Sequence, residues 1–232
     1  MKKILTVGLL FICSCTFAQY SPKDVMAKLK VQSVPFDGTG EDGRIRGSAV
    51  DVEDGELSRK IYSNAQLTEW WDMKESADAV YYCWFQIDNP SHKNKYFFIS
   101  LNAMGDYWTY IMASVAPNGK IDDWIDASVI GSAYLETDAQ RPFRNPVIMQ
   151  YRVLANGDVL ISRIMPTSSE SISLGRINDF HGCRQDTTYR LDQDGKFQVV
   201  GVMKYTPQLY TVQMLSDPDY HVWNGSETPV SE

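Results

Sequence analysis

Pro117-Asn118-Gly119-Lys120, Ala155-Asn156-Gly157-Asp158 and Gln193-Asp194-Gly195-Lys196 decide how this 232-residue chain is read. Asn-Gly and Asp-Gly between β-prone residues form the strongest short-range hairpin signal, because these residues tolerate a positive φ. The flanks correspond. Val115, Val153 and Leu191 precede the turns at one position, and Ile121, Val159 and Phe197 follow them at another. The glycines are 38 residues apart in both intervals (157 − 119 and 195 − 157). Equal spacing has two readings: a true repeat, such as the blades of a propeller, or a meander whose hairpins fall evenly. Residues 132–146 and 170–184 share no identity at that offset, which favours the meander.

Working outward, Ala79 to Ile87, Tyr96 to Leu101 and Tyr107 to Val115 are dense in Val, Tyr, Trp and Phe. Such residues favour pleated surfaces. Asn89-Pro90-Ser91-His92 and Gly105-Asp106 break the runs. Leu209 to Met214 is expected to supply the last strand. Ser21-Pro22-Lys23-Asp24 reads as a helix start, with a Ser cap, Pro in the first position and an acid near the positive end. Val25, Met26 and Leu29 give that helix a short apolar stripe. Leu57, Ile61, Leu67, Trp70 and Trp71 recur at helical spacing, so a second helix is expected between about 57 and 75. Residues 35–56, with Asp37-Gly38, Asp42-Gly43 and Asp54-Gly55, read as loop with one short strand near 45–52. The expected fold is mainly β (α+β): an antiparallel meander of hairpins forming a curved sheet or partial barrel, with one or two short N-terminal helices. One globular domain is expected over 19–215, followed by a loose polar tail over 216–232.

The chain is 44% hydrophobic and 22% charged, with a net charge of −7. That apolar content excludes an intrinsically disordered chain. An acidic surface repels phosphate, so no nucleic-acid partner is expected. Lys2 and Lys3, the apolar run Ile4 to Phe11 and the small-residue exit at Ala18 have the order of a secretory signal peptide over 1–18. The run is too short for a permanent span. The expectation is export, to the periplasm or the extracellular space. Ile12-Cys13-Ser14-Cys15 offers a second route, lipidation at Cys15 and a lipid anchor. Cleavage after Ala18 would leave two cysteines, Cys83 and Cys183. In an oxidising compartment they form a disulfide or remain two buried thiols, and both readings stay open.

The run Val80-Tyr81-Tyr82-Cys83-Trp84, the unit Asn118-Gly119-Lys120-Ile121-Asp122 and the hairpin Asp194-Gly195-Lys196-Phe197 follow a short helical N-terminal part. In this arrangement the chain resembles uncharacterised exported proteins of Gram-negative gut bacteria, grouped as domains of unknown function, over about residues 57–205. The resemblance implies a β-rich extracytoplasmic domain and brings no catalytic residues.

The chain has no Gly-x-Ser-x-Gly elbow, no His-Glu-x-x-His and no paired Cys-x-x-Cys, and no cofactor is expected. Of the three histidines, His92 and His221 read as solvated loop residues. Asp179, His181 and Cys183 supply only part of a metal site, which needs three or four convergent ligands. Asp192 and Asp194 begin like a calcium loop, but Met203 stands where the closing Glu is needed. The acidic run Asp51 to Glu56 reads as a solvated loop. Asp122 and Asp126 flank Trp124 on one face if residues 121–127 form a strand. They would be about 13 Å apart, too far for a glycosidase pair. The unusual feature is the aromatic content of six Trp, 13 Tyr and nine Phe. Trp70, Trp71, Trp108 and Trp124 are the candidate binding residues, because exposed aromatic platforms hold glycans, apolar ligands or proteins. The functional expectation is an exported, non-catalytic β-domain binding a glycan, peptide or envelope component. The alternatives are a carrier of a hydrophobic ligand and a carboxylate-dependent hydrolase.

Overall fold

The computed structural model describes residues 22–38, 80–102, 108–127, 148–167, 172–173, 176–177, 179–217 and 219–230. Gly119, Gly157 and Gly195 all take positive φ, at 86°, 87° and 80°. The three reversals share one hydrogen-bond pattern. Gly119 N–H donates to Ala116 O and Ala116 N–H to Lys120 O; Gly157, Leu154 and Asp158 repeat it, as do Gly195, Asp192 and Lys196. Each is a three-residue loop rather than the two-residue turn that Asn-Gly alone suggests, with the glycine in the left-handed position after a tight turn. The preceding polar side chains fix the turns. Asn118 Oδ1 accepts from Lys120 N–H, Asn156 Oδ1 from Asp158 N–H, and Asp192 Oδ1 from both Asp194 and Lys196 N–H.

The strands are β1 (Val31–Gln32), β2 (Phe36–Gly38), β3 (Val80–Ile87), β4 (Lys95–Asn102), β5 (Trp108–Val115), β6 (Ile121–Asp126), β7 (Ile148–Val153), β8 (Val159–Pro166), β9 (Ile172–Ser173), β10 (Arg176–Ile177), β11 (Phe180–Leu191), β12 (Phe197–Lys204) and β13 (Gln208–Tyr210). One sheet has the order β1-β3-β4-β5-β6, antiparallel except for β1 beside β3. The second runs β12-β11-β8-β7-β2, with β13 following β12 along the same edge of β11. The fold is mainly β, and the described strands form two open, largely antiparallel sheets rather than a closed barrel. The first hairpin lies in one sheet and the other two in the second, so the 38-residue spacing belongs to a meander and not to repeated blades.

The two sheets share a core. Phe85, Ile87, Tyr96, Phe98, Met112 and Ile125 from the first pack against Met149, Tyr151, Val153, Val159 and Ile161 from the second. Phe85 and Phe98 stack at 5.3 Å, and Phe98 meets Tyr151 at 5.4 Å. The helix expected after Ser21 is α1 (Pro22–Lys28). It docks on β3, where the buried Gln86 amide donates to Met26 O and Leu29 O. The second expected helix and the strand near 45–52 lie outside the described residues.

The C-terminal part departs from its sequence reading. The last strand covers only Gln208–Tyr210. Thr211 then caps α2 (Val212–Ser216), its side chain accepting from Met214 N–H. The residues composition reads as a loose tail lie across the outer face of the second sheet. A 3-10 turn at Val222–Asn224 follows α2, and Val222 joins Ile164, Phe180 and Tyr210 in a second buried cluster. Tyr205 pairs with Pro229 in an isolated antiparallel bridge, so residues 228–230 lie along the β12–β13 edge.

Candidate interaction surface

Four turns gather at one end of the sandwich and interlock. Ser91 Oγ donates to Asn156 O at 2.6 Å, and Tyr96 Oη to Gly157 O at 2.6 Å. Asn89 donates to Tyr96 Oη. A Cβ at Gly157 would lie 2.1 Å from Asn89 Oδ1, and one at Gly195 2.2 Å from Asn94 Nδ2. Glycine is needed at both for the turns of the two sheets to touch. Arg190 holds Asp158 with both its Nε and Nη2. That fork is the main reason the Asp158 carboxyl titrates below its ordinary range. Burial, with the Asp158 charge nearby, raises the Tyr96 phenol. His92 serves the same end through Nδ1, which accepts from Asn94 N–H. These bonds hold the turns of the two sheets to one another.

The expected row of Asp122, Trp124 and Asp126 is broken by a bulge. Ser114 pairs with Asp123 and Val115 with Ile121, leaving Asp122 as the extra residue. Asp122 therefore turns to Asn94, whose amide it shares with Ser114 Oγ. Trp124 and Asp126 stay together, opposite Ala113 and Ile111, with Trp124 half-buried. Trp108 opens β5 opposite Asn102. Trp70, Trp71, Cys15 and the acidic run 51–56 lie outside the described residues.

The remaining sequence candidates separate as well. Cys83 is fully buried on β3 and Cys183 half-buried on β11 of the other sheet; both are thiols, with no bridge between them. Asp179 accepts from Val212 N–H at the start of α2 rather than joining His181. Among the described residues no group of three or more His, Cys, Asp or Glu is placed to hold a metal ion. No helix among them is long and apolar enough to cross a membrane.

Beneath the chain end lies a buried ionic cluster. Arg184 makes a fork with Asp186, and its Cζ sits 4.3 Å from the Tyr205 ring centroid. Arg184 Nη1 also donates to Val222 O and approaches Glu227 Oε2 at 3.5 Å. Glu227 accepts from Gln208 and Tyr210, both at 2.7 Å. The Gln150 amide spans the backbone of Tyr220 and Val222. This cluster clamps residues 220–230 onto the sheet.

The surface left over is β12. Val199 is 56% exposed, Val200 48%, Val202 52% and Met203 44%, so apolar side chains are exposed over residues 199–203. Its backbone edge is capped at both ends. Phe197 N–H donates to the Asp123 carboxylate at 2.8 Å, and Lys204 O accepts from Val230 N–H at 2.8 Å. Tyr205 N–H, one residue on, turns the other way to Arg184 O of β11. Backbone direction alternates along a strand. Met203 and Gly201 thus face β11, and Val202 faces away. Counting from the other cap, Val199 also faces away. A bulge opposite Thr188 and Tyr189 absorbs the odd residue, Val200. Among the described residues nothing pairs with the edge of β12 that faces away from β11 between the caps.

Comparison with family models, curated proteins and solved structures finds no match. The surface therefore rests on its own chemistry. Sequence reading missed it because Val199-Val200-Gly201-Val202-Met203 looks like core: an unbroken apolar run does not distinguish a buried strand from an exposed one.

Proposed function

We propose that the chain is an exported, non-catalytic β-domain that binds a polypeptide through β12. The observation that carries this reading is the exposure of Val199, Val200, Val202 and Met203 on one edge strand. Native proteins ordinarily blunt an open strand edge with charge or cover. Here the run Phe197 to Met203 carries no charge. The charged groups of the two polar clusters, Asp158 with Arg190 and Arg184 with Asp186 and Glu227, are paired internally, which supports a binding rather than a catalytic role. The order Lys2-Lys3, Ile4 to Phe11 and Ala18 supports export.

The test is selection against a glycan array and a displayed library of extended peptides, using wild type and the double variant Val199→Lys/Val202→Lys. The reading expects peptides enriched by wild type and lost with the variant. Enrichment of glycans, unchanged by the variant, would contradict it.

A further inference from the structure

Resting on that reading, we infer that β12 takes up its partner as an added strand: a short extended polypeptide, antiparallel to β12, seated between the Asp123 cap and Val230. The chain already performs this addition on itself. Its own residues 228–230 run antiparallel along the edge, with Thr206 N–H donating to Thr228 O and Val230 N–H to Lys204 O. An added strand continues that line toward Phe197, its N-terminal end beside Val230. Antiparallel pairing is also the more stable ladder per residue.

The slot sets the chemistry of its occupant. Val199 and Val202 direct their backbone N–H and C=O away from β11, so they are the pairing residues. The guest needs ordinary amides opposite both, which bars proline there. Exposed valines favour β-branched or aromatic cross-strand neighbours. Lys196 and Lys204, both exposed, bound the slot in a chain of net charge −7. The exposed Lys196 favours an acidic residue at the end of the guest nearest it.

A second copy of this chain does not fit. Pairing two β12 strands about their centre would lay the turn at 192–196 of one copy beside Lys204 to Thr206 of the other. Residues 228–230 already occupy that edge.

The experiment uses the full chain, labelled for amide NMR, titrated with a capped peptide of alternating Thr and Val ending in Glu. The same peptide N-methylated at alternate residues cannot make the edge bonds. Val202→Pro removes an outward N–H without touching the β11 ladder, a position where an edge strand tolerates proline. Strand addition predicts saturable shifts at Val199 and Val202, binding at least tenfold weaker to Val202→Pro, and a similar loss with the methylated peptide. Equal binding by wild type, variant and methylated peptide would overturn strand addition while leaving a polypeptide-binding surface in place. If the variant fails to fold, the methylated peptide decides alone. No shift with any peptide at millimolar concentration would overturn both the inference and the reading beneath it.

Discussion

The hairpins β7–β8 and β11–β12 turn through the same three-residue loop, 38 residues apart, yet their second strands differ completely. In β8 Val159, Ile161 and Ile164 are fully buried, whereas in β12 Val199, Val200, Val202 and Met203 are exposed. The apolar content of Val159-Leu160-Ile161-Ser162-Arg163-Ile164 and Phe197-Gln198-Val199-Val200-Gly201-Val202 is similar. Local sequence thus sets the reversal, while coverage by other elements sets the burial. β8 has neighbours on both edges and is covered on one face by the first sheet and on the other by the chain end. β12 has a strand neighbour on one edge only, and beyond Phe197, which stacks on Tyr96, its side chains are uncovered.

The largest effect expected is on the clamp that covers β8 and leaves β12 open. Arg184→Ala strands Asp186 and Glu227 as buried carboxylates, and removing one member of such a pair costs about 3–5 kcal/mol. Denaturant unfolding should show that loss, and loss of the cover should raise exchange at Ile164 and Val222. The comparison itself is sharpened by matched truncations. Ile161→Ala, at a fully buried site, should cost about 2–5 kcal/mol, and Val202→Ala should stay within about 0.5 kcal/mol. Equal costs would erase the distinction between the two strands. Glycines give a smaller contrast. Gly157→Ala meets a left-handed backbone penalty of about 1–2 kcal/mol, besides the Asn89 side chain. Gly201→Ala, whose Cβ would have its nearest neighbour at 3.9 Å, should be near neutral.

Buried phenols and a paired carboxylate set the pH dependence of stability. Burial raises the phenols of Tyr96, Tyr151 and Tyr210, and that of Tyr220 to about 12. A raised folded-state value stabilises the protein below the unfolded value near 10, and the contribution is lost as pH rises through the folded values. Asp158, with a lowered value, works the other way: its contribution is present at neutral pH and lost as pH falls below the ordinary carboxylate range. Stability curves against pH should fall at both extremes. Tyr220→Phe should flatten the alkaline limb, and an unchanged limb would show that this phenol is not buried.

The sequence carried the hairpins because Asn-Gly and Asp-Gly act through a backbone requirement that neighbours do not alter. It carried the three strands before them through side-chain type. It did not carry the bulge at Asp122, because a one-residue register shift between β5 and β6 is a property of the pair, and that shift undid the expected face of Asp122 and Trp124. Nor did it carry the docking of the chain end, where Glu227 is recognised by Gln208 and Tyr210 together with Arg184 on β11. The β12 surface was hidden for the same reason: exposure depends on what fails to arrive, which no residue in the run records.

Residue-resolved amide exchange along β12 tests the central claim most directly. An open edge predicts fast exchange at Val199 and Val202, and slow exchange at Gly201 and Met203, which face β11, and at Phe197, which Asp123 holds. Val199 and Val202 as slow as Gly201 and Met203 would mean that the edge is already covered, and the proposed surface would not exist.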